Sequence, residues 1–274
     1  MLDKLNLIIP NWPAPANVKA LQTTRAGGIS LAPYNSLNLG SHVKDDPLHV
    51  AHNRQLLSQF LPSEPVWLNQ VHGVNVVDAT ETNCAADLGY ANCAAHLGYA
   101  DCGAHLGYAD CVPCADASYT TQKNVVCVTM TADCLPILLC DTAGTLVASI
   151  HAGWRGLCDN VIEATIAKLP VKPANLMAWL GPAIGPNAFR VGAEVRAQFI
   201  SQDSQAKAAF NPHGDKYFCN IYQIAAQRLN NCGINQIYGG GISADFCTYT
   251  QKEQFFSYRR DGATGRMATL IWIA

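Results

Sequence analysis

Residues 134–151, CLPILLCDTAGTLVASIH, decide how this chain is read. Two apolar, partly β-branched runs flank Thr142-Ala143-Gly144, and such runs bounded by a turn read as buried strands. A hairpin returns the chain to the level at which it began. Cys134 and His151, 17 residues apart, are therefore expected near one another on neighbouring strands.

Working outward, further strands are predicted at Asn124–Thr131, Leu176–Leu180 and Met267–Ile273, with the hairpin strands at Ile137–Cys140 and Thr145–Ile150. Helices are predicted at Leu48–Phe60 behind Pro47, at Asp159–Leu169 with Asp159 as N-cap and Pro170 as the stop, and at Ile221–Asn231 ending near Gly233. The order is not a strict βαβ repetition and no linker divides the 274 residues. An α+β fold in a single domain, 1–274, is the expectation, with mixed β-sheets flanked by helices.

Hydrophobic residues make up 49% of the chain, charged residues only 14%, and the net charge is −2. No basic stripe or charge run marks a nucleic-acid or membrane surface, whereas a small phosphate-bearing ligand needs only a few local arginines. The opening MLDKLNLIIP lacks the basic and apolar regions of a signal peptide, and no apolar run reaches the roughly 18 residues of a membrane span. A cytoplasmic location is the expectation. The 12 cysteines then read as buried thiols and a possible site instead of a disulfide framework.

Five cysteines fall in an internal repeat of period nine: CAADLGYAN at 84–92, CAAHLGYAD at 93–101, CGAHLGYAD at 102–110, then CVPC at 111–114. The array reads as a tandem duplication inside a surface loop at about 84–114, where added length costs little. The other reading is a metal tract using Cys93, His96, Cys102 and His105.

Three segments each end an apolar stretch with a metal-competent side chain beside Gly or Pro: WLNQVHG at 67–73, TADCLP at 131–136 and IHAGWRG at 150–156. His72, Cys134 and His151 would make a thiolate-and-two-imidazole set, which suits zinc with a fourth position left open. The same set accepts copper. Each residue also has a structural reading, as a satisfied core histidine or a small buried thiol, and no CxxC or HxxxH spacing decides between them. A Cys134–His151 nucleophile pair is a third reading. Arg25 in a Gly-rich turn and Arg155 beside His151 are the arginines placed for phosphate or carboxylate; Arg259, Arg260 and Arg266 read as surface ion pairs. No GxSxG, P-loop or GxGxxG is present.

The set TTRAGGIS, NLGSHV, HNR, NQVHG, TADCLPILL, HAGWRG, LGPAIGP and FFSYRRDGATGRMA resembles the YfiH-like family, called laccase-domain or multicopper polyphenol oxidoreductases and reassigned as purine nucleoside phosphorylases. The resemblance runs from about Asn6 to Ile273, apart from the repeat. It implies a single α+β domain similar to the cytotoxic necrotizing factor-like fold. It implies zinc on His72, Cys134 and His151, with Cys134 and Arg155 at the chemistry and Arg25, Asn38 and Arg54 as substrate contacts. The implied activity is phosphorolysis of adenosine, inosine and methylthioadenosine, a transferase reaction whose small-molecule partners are nucleoside and phosphate. Hydrolytic adenosine deamination is also attributed to the family. Polyphenol oxidation with copper, cysteine hydrolysis of peptidoglycan precursors and a non-enzymatic metal-holding scaffold are the rivals. Two departures stand out. Removing three nonamers, 27 residues, shortens the His72-to-Cys134 spacing from 62 to 35, nearer the family's; and Phe189-Arg190-Val191-Gly192 stands where Tyr-Glu-Val-Gly is more usual.

Overall fold

The hairpin forms, and its strands are buried on both faces. The computed structural model describes residues 5–81, 112–240 and 246–274. Leu135–Asp141 and Val147–Ala152 pair antiparallel, with Pro136 opposite His151 and Cys140 opposite Val147. Leu135, Ile137 and Leu139, with Ala148, Ile150 and Ala152, enter a core shared with helices, whereas Leu138, Cys140 and Val147 enter a second core shared with another sheet. Burial on two faces explains the continuous apolar runs. It also fixes the register, because a one-residue slip would exchange the two sets of side chains.

The hairpin is the centre of a six-stranded sheet whose order is Gln236–Gly239, Leu176–Leu180, Leu135–Asp141, Val147–Ala152, Ala117–Thr120 and Val76–Asp78. The outermost pair on each side is parallel and the inner pairs are antiparallel. Helices Trp154–Cys158, Val161–Lys168 and Ile221–Asn231 cover one face. A four-stranded sheet, Leu7–Ile8, Val18–Thr23, Met267–Ile273 and Cys127–Thr131, packs on the other, where Val18, Cys127, Ile271 and Ile273 meet Leu138, Met177 and Trp179. A three-stranded sheet of Phe210–His213, Lys216–Cys219 and Arg190–Val191 completes the α+β domain with mixed sheets.

Three expected elements, Leu176–Leu180, Ile221–Asn231 and Met267–Ile273, fall where predicted. The second hairpin strand begins at Val147, later than expected, because the Asp141 carboxylate accepts the amides of Thr145 and Leu146 and keeps them in the turn. The strand placed at 124–131 begins at Cys127, after Asn124 adopts a φ of 61°. The first helix runs Pro47–Ser58, capped by Asp46. Asp159 is not an N-cap: it closes the short helix Trp154–Cys158, and left-handed Asn160 precedes Val161–Lys168. The Asn160 side chain is unavailable for capping because Oδ1 accepts from buried Arg228.

The seven scattered cysteines are free thiols, and Cys114, at the end of the repeat, is disulfide-bonded. The nonamers and the candidate tract of Cys93, His96, Cys102 and His105 lie outside the described residues. Among the described residues no helix is long and apolar enough to cross a membrane.

The turn depends on Asp141, 3% exposed, which also accepts the Thr145 hydroxyl at 2.7 Å. Asp141→Ala leaves the buried Leu146 amide and the part-buried Thr145 amide without this acceptor and is expected to lower unfolding stability by about 1–2 kcal/mol, read from the shift of a urea unfolding midpoint at unchanged slope.

Candidate metal centre

His72 sits at a φ of 62°, uncommon for a residue with a side chain. One buried carboxylate holds it there. Asp116 Oδ1 accepts the His72 amide at 2.9 Å, and Oδ2 accepts those of Gly73 at 2.7 Å and Val71 at 3.2 Å. Successive amides closing on one anion form a nest. Just before, Gln70 accepts the Met130 amide at 2.7 Å and donates to the Met130 carbonyl at 2.8 Å, which fastens the same loop to the strand leading to Cys134.

Cys134 follows Asp133, whose φ of 97° turns the chain at the mouth of the hairpin. His151 lies on the facing strand. Its Nδ1 is 2.7 Å from Asp116 Oδ1 and its amide donates to the Asp116 carbonyl at 2.7 Å. The Cys134 Sγ is 3.6 Å from His72 Nε2, and the two imidazoles meet edge to face with centroids 4.7 Å apart. All three donor atoms lie within 4.8 Å of one another.

The donor set and the room between its members both fit a metal ion. A thiolate with two imidazoles is a zinc-type set. A Cβ on Gly153 would stand 2.7 Å from His72 Cδ2 and 3.0 Å from Cys134 Sγ, so glycine there is what lets the donors converge. A Cβ on Gly156 would meet the Gly73 carbonyl at 2.7 Å. The two glycines of HAGWRG thus admit the His72 loop. Among the described residues this is the one such group of three or more donors.

Burial pushes the Cys134 thiol up, but the charge and hydrogen bonds of His151, with those of His72, outweigh it and bring it down to about 6. Burial likewise pushes His151 down, and the Cys134 thiolate with the Asp116 carboxylate more than reverses this. The two shifts run in opposite directions because each group favours the charged form of the other. Cys127, Cys140 and Cys219 are driven the other way by burial, to about 12.

The triad floors a cavity of about 500 Å³. Trp154, Phe189 and Tyr258 line it, each with an arginine over its ring: Arg155 at 4.6 Å, Arg259 at 5.2 Å and Arg266 at 5.9 Å. Arg259 and Arg266 also bond backbone carbonyls. Arg155 is exposed, and its guanidinium has no hydrogen-bond acceptor among the described residues. His42 also lines the cavity, exposed at its rim; desolvation by its neighbours, reinforced by Arg266 and Arg54, lowers it to about 4.

The structure therefore brings His72, Cys134, His151 and Arg155 together. Arg25, Asn38 and Arg54 do not line the cavity. The Arg25 guanidinium donates to the carbonyls of Asn35 and Lys252, Arg54 Nε to that of Leu39, and buried Asn38 accepts the amides of Gly40 and Arg266. Arg25 and Asn38 tie loops together, and the Arg54 guanidinium also stacks over Trp67 at 3.9 Å. Sequence reasoning missed Asp116, which nothing in its Ala-Asp-Ala surroundings marks, and it read Arg259 and Arg266 as surface charges. FFSYRRDGATGRMA, shared with the family, was the available signal for those two.

Fold and site define a single-domain α+β protein with a His–Cys–His triad on the floor of an aromatic, arginine-rimmed cavity. Residues 19–274 match the family described as multi-copper polyphenol oxidoreductase laccase. The chain is 52% identical over 269 residues to "Purine nucleoside phosphorylase YfiH" of Shigella flexneri, covering 97% of this chain and 98% of the relative. It is 51% identical over 269 residues to the Escherichia coli protein of the same name, covering 97% and 98%. A crystal structure of a Neisseria meningitidis protein superposes with a TM-score of 0.84 at 44% identity, covering 98% of this chain and 99% of that one. The chain belongs to the YfiH-like, laccase-domain family.

In metal-stripped protein, alkylation of Cys134 by iodoacetamide, mapped by mass spectrometry, is expected to follow a titration near pH 6 and to be level above it; an ordinary thiol would still be rising at pH 8. Gly153→Ala is expected to weaken metal binding at least ten-fold by crowding two donors, measured by competition with a chromophoric chelator.

Proposed function

We propose that this chain is a zinc-dependent purine nucleoside phosphorylase, converting adenosine, inosine and methylthioadenosine, with phosphate, to free base and sugar 1-phosphate. The observation that carries this reading is the convergence in one cavity of the triad, three aromatic walls and the uncommitted fork of Arg155. The names of the relatives support it. His72, Cys134 and His151 would hold the zinc, which when bound supplies a Lewis acid at the cavity floor. Copper accepts the same donors.

The chain's own residues do the rest. Trp154, Phe189 and Tyr258 give the cavity an aromatic lining beside which a purine can pack. Arg155 grips phosphate in two directions at once. A phosphate oxygen bonds to the anomeric carbon while the carbon–nitrogen bond breaks, its electron pair goes to the base, and the proton that the phosphate carried ends on the base. Arg259 and Arg266 add positive charge around that anion. Neutral His42 offers a hydrogen bond at the rim. Deamination of adenosine is the lesser activity in this reading, because zinc deaminases use a free carboxylate as acid and base and the lining carboxylate, Asp133, already accepts from Thr248 at 2.6 Å and the Arg259 amide at 2.6 Å.

A second reading has an observation of its own. Cys134, His151 and Asp116 stand in the order nucleophile, base and orienting carboxylate, the arrangement of a cysteine hydrolase. It requires turnover of amide substrates such as peptidoglycan precursors by metal-stripped protein.

Purified wild type and Cys134→Ala are to be compared for metal content and for base release from adenosine and inosine, with and without phosphate. Phosphate-dependent release in the wild type is expected, with zinc and at least 100-fold of the rate lost together in the variant. Zinc-loaded protein that releases no base under any condition would sink the phosphorylase reading. Arg155→Ala is expected to raise the KM for phosphate at least ten-fold with a smaller change in the KM for nucleoside, read from initial rates at varied phosphate.

A further inference from the structure

Asp116 has no accessible surface, and every polar interaction the structure gives its carboxylate and carbonyl goes to the two histidines or to the residues flanking His72. The carboxylate takes three amides of the loop bearing His72 and the Nδ1 of His151, and its carbonyl takes the His151 amide. With Nδ1 facing Asp116, the His151 ring turns its other nitrogen toward Cys134 and His72. We propose that Asp116 is the positioning residue of the triad: one carboxylate sets the backbone of one metal ligand and the tautomer of another, so the site is assembled before an ion arrives. This rests on the metal reading above.

The physical case has two parts. A histidine held at a φ of 62° tends to relax to negative φ when its loop is released, and the nest is what opposes that. A carboxylate on Nδ1 also raises the basicity of the ligating nitrogen and stops the ring rotating; loss of such a partner costs about 10–100-fold in metal affinity. Asp116→Asn keeps the volume but presents an N–H group where amides already donate. It disturbs both parts without opening a cavity.

The test is zinc titration of metal-stripped wild type and Asp116→Asn against a chromophoric chelator, with the melting temperature of each taken without and with zinc. Positioning predicts about 10–100-fold weaker zinc binding and a smaller zinc-induced rise in melting temperature in the variant. A merely structural role predicts lower melting temperatures for the variant in both states with affinity unchanged, and that result overturns the proposal. Wild type that takes up no zinc brings down the metal reading itself, and this inference with it. Should the variant not fold, wild type loaded with cadmium-113 settles the point through nitrogen-15 coupling. His151 bound through Nε2 with a proton on Nδ1 is the expected pattern; coordination through Nδ1 rules the proposal out.

Discussion

Burying a hairpin on both faces leaves it no freedom to slide. Every side chain of Leu135–Asp141 and Val147–Ala152 is buried, so each residue's identity is tied to one of two cores. The vertical position of Cys134 against His151 follows from this packing and from the Asp141 turn at the far end. Chemistry at the open end is thus aligned by hydrophobic burial about half a strand length away. The surrounding layers, helices on one side and a four-stranded sheet on the other, are what make the burial two-sided.

The second half of the site is assembled by polar means. His72 arrives from a loop with no strand to fix its register, and its alignment comes from Gln70 on Met130 and from Asp116 beneath it. Glycine does the complementary work of omission at positions 153 and 156, where a methyl group would occupy the space the loop needs. Packing therefore sets one pair of donors and hydrogen bonding brings the third to them.

This division also explains what was legible in the sequence. The hairpin could be read because apolar runs and a turn are local signals, and Ile221–Asn231 could be read because its periodic apolar face ends at a left-handed Gly233. Boundaries slipped where a side chain captured backbone amides, as Asp141 does, or where a potential cap was already engaged, as Asn160 is by Arg228. Asp116 was invisible because its partners lie between 35 and 45 residues away and are mostly main-chain groups, which leave no trace in residue type. Arg25, Asn38 and Arg54 were visible as motif members, yet spacing does not reveal the loop carbonyls and amides that Arg25, Asn38 and the Arg54 Nε engage.

The nest around Asp116 has a consequence for how this sequence can drift. It grips amide groups, which every residue but proline possesses, so it is blind to the side chains at 71 and 73. A Cβ on Gly73 would come no closer than 3.5 Å to any neighbour. Apart from the two histidines, information about this corner of the molecule is thus concentrated at one position: the nest itself asks nothing of the side chains at 71 and 73, while the carboxylate has no substitute, since glutamate is one methylene too long for a space with no accessible surface.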